Sequence, residues 1–179
     1  MTKEERYVVN PLSLWFKNQK VNWKLYRPRY GSSATGWDLE VRRKNVDLLI
    51  EAKYVDGPFL GSFTGLVTAP LANRPQHFAK TLYRSSWHRV CWAIGSPGPM
   101  RNIYQILFDY FVRNPRFWRH YCTDVKMLYV FFLKDNKVMK IRFSELLKIA
   151  AAYNRKASEK KLAERRSIAE ELMVKYEYS

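Results

Sequence analysis

Three residues in the first third of the chain have the types and the spacing of a metal-dependent hydrolytic site. Glu51 and Lys53 are two residues apart in the apolar segment VDLLIEAKYV, and Asp38 precedes them in the segment WDLEVRR. Residues two apart on a strand project from the same face, so a strand here places the carboxylate beside the ammonium. Because an unpaired buried charge is costly, the pair indicates either a local pairing or a use for both groups.

The chemistry that these residues support is hydrolysis of a phosphodiester bond. If the two segments pair, Asp38 comes close to Glu51. Both carboxylates and the backbone carbonyl of Ala52 would suit Mg²⁺ or Mn²⁺, which favour hard oxygen ligands. The metal would bind the scissile phosphate and lower the pKa of a bound water. Lys53 would stabilise the developing negative charge or position that water.

Two plainer interpretations stay open. The charges could belong to an ordinary surface hairpin with a cross-strand salt bridge, which contributes about 0.2–1 kcal/mol. On the same hairpin, Glu40 and Asp47 are expected to be solvated charges rather than ligands. A zinc site is a further alternative, although the spacing of its four candidate ligands is not that of a zinc knuckle. These are His88, Cys91, His120 and Cys122.

The elements that must position the three residues are a helix and a hairpin. Residues 10–20 predict a helix with Asn10 as N-cap and Pro11 in its first turn. Its apolar residues, expected to pack, are Leu12, Leu14, Trp15 and Phe16. In the next segment apolar residues alternate with charged ones, which is typical of a half-buried strand, and KN at 44–45 makes a tight connection. The hairpin therefore carries all three residues.

The rest of the chain alternates between helical and extended patterns. Residues 57–72 predict an ordered loop, because glycines and prolines interrupt an apolar run. Further helices are expected near 73–84, near 100–113 and from Ser144, and strands at 89–95, 125–133 and 137–143. This order predicts an α/β fold with a mixed β-sheet flanked by helices. We divide the chain into an α/β core, 1–154, and a C-terminal amphipathic helix, 155–179, packed on the same domain.

The motif resembles the D…(D/E)xK signature of the PD-(D/E)xK nuclease superfamily, which has the restriction-endonuclease-like fold. The resemblance rests on Asp38, on Glu51-Ala52-Lys53 at the end of an apolar strand, and on Gly36-Trp37-Asp38-Leu39, and it covers about half of the chain. It implies a nuclease in which Asp38 and Glu51 bind metal and Lys53 assists catalysis.

Two features depart from the family pattern. Trp37 replaces the proline of the family name. Many relatives also carry a glutamate on the first helix as an additional metal ligand, whereas residues 10–20 contain no acid. Glu4 or Glu5 could serve if the helix began earlier, but Pro11 argues against one continuous helix, so the sequence favours a site with one metal ion.

Charge and composition predict the partner. The net charge of +16 indicates an anionic partner, most simply nucleic acid and in particular DNA, with RNA left open. Residues expected to contact the nucleic acid are Arg27, Arg29, Arg113, Arg116 and Arg119, which lie among aromatic residues. The resemblance to the nuclease superfamily adds Arg74, Gln76 and Lys80, because its members often carry a glutamine or a basic residue on the helix after the Glu-x-Lys strand. The absence of a signal-peptide core and the two cysteines predict a cytoplasmic protein without a membrane segment. The apolar stripe from Leu162 to Tyr176 is expected to dock on its own domain, with a homodimer contact as the minority alternative.

Overall fold

Six strands of the described residues form one mixed sheet, in which the spatial order follows the order of the chain. The structure, a computed structural model, describes residues 1–26, 38–56, 88–114 and 127–179. The strands are β1 (Lys24–Tyr26), β2 (Leu39–Arg43), β3 (Val46–Tyr54), β4 (His88–Gly95), β5 (Met127–Lys134) and β6 (Lys137–Arg142). The predicted mixed α/β fold is confirmed.

Strand direction follows from the length of each connection. Two-residue turns join β2 to β3 and β5 to β6, and both pairs are antiparallel. Lys44 in the first turn and both residues of the second, Asp135 and Asn136, have positive φ, as such turns require. Strands β3, β4 and β5 are parallel to one another. Parallel pairing needs a long crossover, and the connection from β4 to β5 contains a helix, α2 (Met100–Arg113).

The helices cover both faces of the sheet. Trp92 of β4 and Phe132 of β5 face α2 and the following helices, α3 (Phe143–Ala157) and α4 (Leu162–Met173). On the opposite face, Ile50 and Phe131 pack against the N-terminal helix. Strands β4 and β5 are therefore buried on both faces, which explains their continuous apolar sequences. Within the described residues, no helix has the length and apolarity needed to cross a membrane.

The first helix begins earlier than predicted. It comprises α1 (Asn10–Lys17) and a preceding π-helical turn, Glu5–Val9. Asn10 has helical dihedral angles (φ −66°, ψ −49°), so its prediction as an N-cap is wrong. Pro11 lacks the N–H that an α-helix needs, and the π-helical turn immediately before it accommodates that loss. The prediction that Leu14 packs against the core is wrong as well, because its side chain is 58% exposed.

The C-terminal residues form two helical pieces. Helix α3 extends to Ala157, and the chain then turns at Glu159, which has a φ of 67°. Helix α4 buries Ala169 and Met173 against the core on the α2 side of the sheet, whereas Leu162 at its start is 50% exposed. The described chain ends in a short backbone pairing, in which Ser179 and Val138 exchange two hydrogen bonds of 2.9 Å.

Candidate active site

Asp38 lies against the backbone of the strand that carries Glu51 and Lys53. Its N–H donates to the Ile50 carbonyl at 2.9 Å, and its Oδ2 accepts the Ala52 N–H at 2.8 Å. The carboxylate thus takes the place of a strand partner at the point where β2 begins. This contact orients one carboxylate oxygen and fixes the position of Asp38 relative to the Glu51-Ala52-Lys53 motif.

The ladder between β2 and β3 ends at Leu39, which pairs with Ile50. Asp38 lies just beyond this pair, at a bend, and its hydrogen bonds to Ile50 and Ala52 place it beside the backbone on either side of Glu51. The N–H and C=O groups of one strand residue point toward the same neighbouring strand. Because the N–H of Ala52 reaches Asp38, its carbonyl is directed to the same side. The Ala52 carbonyl, a predicted metal ligand, therefore points to the side of β3 on which Asp38 lies.

Glu51 and Lys53 share one face of β3, as their spacing predicted. In the parallel pairing with β4, Glu51 lies opposite Trp92 and Lys53 opposite Ile94. Both charged side chains are half-buried, whereas Ala52 between them is buried on the opposite face of the sheet. The pair therefore stands at the edge of the core, where a charged group remains in contact with solvent.

A glutamate on the first helix reaches the same place. The Nζ atom of Lys53 lies 3.5 Å from Oε1 of Glu4, and each side chain is 33% exposed. The helix starts earlier than predicted, so the argument from Pro11 against one continuous helix is wrong, and Glu4 is the acid of the two left open that contacts the site. The described structure instead gives this hairpin a carboxylate from the helix, in addition to Asp38 and Glu51.

The sequence did contain a signal for this early start. Thr2 and Glu5 have the spacing of a capping box, and they form one: the Thr2 N–H donates to Glu5 Oε2 at 2.7 Å, and the Glu5 N–H donates to Thr2 Oγ1 at 3.1 Å. Pro11 led instead to a predicted helix start at residue 10. The capping box determines where the helix begins and therefore where Glu4 lies.

Close packing fixes this helix on the strand ends. Tyr7 stacks on Tyr54, with ring centroids 5.1 Å apart, and the backbone of Gly95 lies beneath Val8. Lys3 forms a 2.6 Å ion pair with Asp56, two residues beyond β3. These contacts lie on both sides of Glu4 in the sequence and hold it near Lys53.

The structure buries a second group of charges on the hairpin. Asp47 is 4% and Glu40 9% exposed, so the prediction that both are solvated is wrong. Arg42 bridges them, with Nε 2.6 Å from Glu40 and 3.2 Å from Asp47. Burial and the adjacent Glu40 carboxyl raise the pKa of Asp47 to about 7, against the opposing effect of Arg42. These carboxyls pair with each other and with Arg42 inside the fold.

The acidic side chains at this end of the hairpin offer the type of ligand atom that a hard divalent cation binds. Asp38, Glu51 and Glu4 offer carboxylate oxygens, which Mg²⁺ and Mn²⁺ favour. In the described part of the chain, no group of three or more His, Cys, Asp and Glu side chains lies close enough together to hold a metal ion. Two carboxylates with a backbone carbonyl remain the set that the hairpin itself offers.

Of the predicted zinc ligands, only the environment of Cys91 is described. Its thiol is fully buried, and burial raises its pKa to about 12. Zinc binds the thiolate form, so this burial disfavours Cys91 as a ligand. The side chain of His88 and residues His120 and Cys122 lie outside the described part of the chain.

One predicted nucleic-acid contact can be placed. Arg113 is exposed at the end of α2 and lines a cavity of about 520 Å³, which Val55 and Asp56 also line just beyond β3. It therefore lies on the side of the sheet where the Glu51-Ala52-Lys53 strand ends. The other predicted contacts lie outside the described residues: Arg27, Arg29, Arg74, Gln76, Lys80, Arg116 and Arg119.

Two residues that line the same cavity, Asp109 and Arg165, belong to a polar cluster that the sequence analysis missed. Asp109 of α2 accepts a hydrogen bond from Tyr153 of α3 at 2.7 Å and pairs with Arg165 of α4. Arg165 also donates from Nε to the Tyr153 hydroxyl at 3.2 Å. These residues are far apart in sequence, so no local pattern indicated the cluster. It joins the three helices on this face.

Comparison of the chain with family models, curated proteins and solved structures returns no match.

Proposed function

We propose that this protein is a metal-dependent nuclease of restriction-endonuclease-like fold that hydrolyses phosphodiester bonds in DNA. One observation carries the proposal: Asp38 accepts the Ala52 N–H at 2.8 Å while Lys53, the next residue, meets Glu4 at 3.5 Å. An acid from one strand, the Glu-x-Lys motif of the next and a helix carboxylate thus converge at one end of the hairpin.

The arrangement of elements supports the proposal. A helix precedes an antiparallel hairpin, and the second strand of the hairpin pairs in parallel with β4. This order is similar to the one that the PD-(D/E)xK resemblance implies. The described mixed sheet, flanked by helices, is compatible with that fold.

Each residue has a chemical role in the proposal. Asp38 and Glu51 would hold Mg²⁺ or Mn²⁺, which supplies positive charge to the scissile phosphate and makes water a better nucleophile when bound. Lys53 would donate hydrogen bonds to the charge that develops on the phosphate oxygens. The hydrogen bond from the Ala52 N–H already orients the Asp38 carboxylate. The Asp38 side chain would therefore lose less conformational entropy when it binds the metal.

Glu4 gives Lys53 a defined position. An ion pair at 3.5 Å restrains a long side chain that would otherwise sample many rotamers, and partial burial of both groups reduces screening by solvent. When substrate enters, the phosphate competes with Glu4 for the ammonium group. Glu4 would then be an additional carboxylate on the first helix, beside Lys53, which reopens the choice between a one-metal and a two-metal site.

The net charge supports an anionic substrate. The chain carries +16 overall, with 32 basic and 16 acidic residues, whereas the proposed metal ligands are the carboxylates of Asp38 and Glu51. A basic surface attracts the nucleic-acid backbone, and a metal ion would offset the repulsion between these carboxylates and a phosphate. Both features agree with a metal-dependent reaction on nucleic acid.

A non-catalytic nucleic-acid-binding protein is the second candidate function. The Glu4–Lys53 contact favours it, because the two charges satisfy each other without metal or substrate. In that case the same hairpin would serve as a scaffold only. This candidate predicts binding that weakens steeply with salt and no metal-dependent cleavage.

The test is a cleavage assay with matched variants. Purified protein is incubated with supercoiled, linear, single-stranded and branched DNA and with RNA, in Mg²⁺, Mn²⁺ or EDTA. The site variants are Asp38→Asn, Glu51→Gln and Lys53→Met. The controls are Glu171→Gln and Lys160→Met, which make the same chemical changes at exposed positions on and beside α4.

We expect each site variant to reduce metal-dependent cleavage by about 100-fold or more, with binding to DNA changed by about threefold or less. Both controls should cleave like the parent protein. Cleavage that persists in all three site variants would refute the assignment. Binding without cleavage of any substrate by the parent protein would select the non-catalytic candidate, and cleavage of RNA alone would select an RNA-directed enzyme.

A further inference from the structure

A second surface has the composition of a nucleic-acid contact, and it lies on the opposite face of the sheet. A cleft of about 460 Å³ opens beside the tip of the β2–β3 hairpin. Three half-buried rings line it, those of Trp15, Trp23 and Tyr129. We refer to it as the aromatic cleft.

The register of the hairpin separates the aromatic cleft from the candidate active site. Leu48 lines the cleft, and residues at even positions of β3 face the first helix. Glu51 and Lys53 are at odd positions, so they project from the other face. A ligand in the cleft therefore has no direct contact with those two side chains, and any binding there is a separate property.

Cations line the same cleft. Arg43, Lys44 and Lys140 are all exposed and lie in its lining, and the described residues that form the lining include no carboxylate. Two of the cations lie over the rings: Arg43 is 5.9 Å from the centre of the Trp23 ring, and Lys140 is 4.9 Å from that of Tyr129. The cleft thus pairs apolar flat surfaces with positive charge.

This pairing selects one class of ligand. An apolar peptide would contact the rings but would leave the three cations without anions. A simple anion would pair with the cations but would make no contact with the rings. Single-stranded nucleic acid supplies both partners, because its bases have flat faces for stacking while its phosphates lie within reach of neighbouring cations. Duplex nucleic acid keeps its bases stacked on each other and does not offer their faces.

We propose that the aromatic cleft binds single-stranded nucleic acid, with bases against Trp15, Trp23 or Tyr129 and phosphates on Arg43, Lys44 and Lys140. The inference is independent of the proposed nuclease, because it uses other residues on another face. It predicts a preference for single strands over duplex that remains when metal is absent and the candidate active site is inactivated.

The charge component is tested first. Binding of fluorescein-labelled dT15, rU15 and a 15-base-pair duplex is followed by anisotropy in EDTA, in the Asp38→Asn background. The triple variant Arg43→Gln, Lys44→Gln, Lys140→Gln removes the cations of the cleft. Its control is Lys148→Gln, Lys156→Gln, Lys160→Gln, which removes equal charge from exposed positions on α3 and just beyond it.

The salt dependence gives the expected size of the effect. Each phosphate contact to a single strand contributes about 0.7 to the slope of log K against log salt, so loss of three contacts should reduce the slope for dT15 or rU15 by about 2. The control should leave that slope within about 0.5 of the parent value, on the same scale. Equal losses in both triple variants would overturn the proposal, because net charge alone would then explain the binding.

The stacking component is tested with an abasic strand of the same length and charge. The parent protein should bind dT15 at least about fivefold more tightly than the abasic strand, because stacking on one ring is worth about 1 kcal/mol or more. In Trp23→Leu this preference should shrink, while affinity for the abasic strand is unchanged. Circular dichroism checks that the variant is folded. Equal affinity of the parent protein for both strands, or for single strand and duplex, would overturn the proposal.

Discussion

Replacing Gly95 by alanine tests how closely the first helix approaches the sheet. A Cβ atom at Gly95 would lie 2.9 Å from Cγ2 of Val8 and 3.5 Å from the Tyr7 carbonyl oxygen. Val8 is fully buried and β-branched, so it has few alternative rotamers. The added methyl group must therefore displace the π-helical turn, and Glu4 with it.

The cost follows from the overlap. Inserting a methyl group into a well-packed core typically costs about 1–3 kcal/mol. For a chain of this size, each kcal/mol lowers the melting temperature by about 2–4 °C, so Gly95→Ala should melt about 2–12 °C below the parent protein. Gly98→Ala is the matched control, because the nearest atom to its Cβ is Ser96 Oγ at 3.9 Å. It should change the free energy of unfolding by about 0.5 kcal/mol or less.

A second substitution tests the named contact. Val8→Ala removes the atom that the new methyl group would meet, although it leaves a cavity that costs about 1–3 kcal/mol alone. The double variant Gly95→Ala, Val8→Ala should lose less unfolding free energy than the two single variants lose when their losses are added. The expected difference is about 0.5 kcal/mol or more. Urea unfolding measures all four proteins. Strict additivity, or a Gly95→Ala variant as stable as the parent, would refute the close approach.

Two further predictions concern charged groups inside the fold. Asp47 has a folded-state pKa of about 7 against its ordinary 3.8, so it favours folding at low pH and this contribution is lost as the pH rises through 7. The change in unfolding free energy caused by Asp47→Asn, measured with urea, should therefore be more unfavourable at pH 5 than at pH 8. The same change at both pH values would contradict the raised pKa of Asp47. Asp109→Asn weakens the acceptor of Tyr153 and Arg165 and should cost about 1–3 kcal/mol. Glu171→Gln, at an exposed position, should be neutral, and equal stability of these two variants would exclude a stabilising role for the cluster.

Local sequence patterns predicted most of the described secondary structure. Apolar and charged residues alternate along β2, and the apolar segments of β4 and β5 are short and rich in aromatic and β-branched residues. Such periodicity reflects which side of an element faces the core, so it can be read without knowledge of the tertiary contacts. The same reasoning explains why Glu51 and Lys53 were expected on one face. The helix expected at 73–84 and the loop at 57–72 lie outside the described residues.

Long-range contacts explain what the sequence analysis missed. Glu40 and Asp47 appear as solvent-facing charges in a strand pattern, but both are buried in the fold and paired with Arg42. The Glu4–Lys53 contact joins residues almost fifty positions apart. Neither feature has a local signature, because each depends on which distant segment covers a given surface.

The sequence by itself determined the hairpin and the common face of Glu51 and Lys53, since a strand has a period of two and a two-residue turn leaves little freedom of register. The tertiary structure decided which further groups join them. It brings Glu4 to Lys53 because the first helix packs directly on Gly95, and it gathers Trp15, Trp23 and Tyr129 into one cleft. Packing brings together residues from separate segments, and local periodicity cannot predict that proximity.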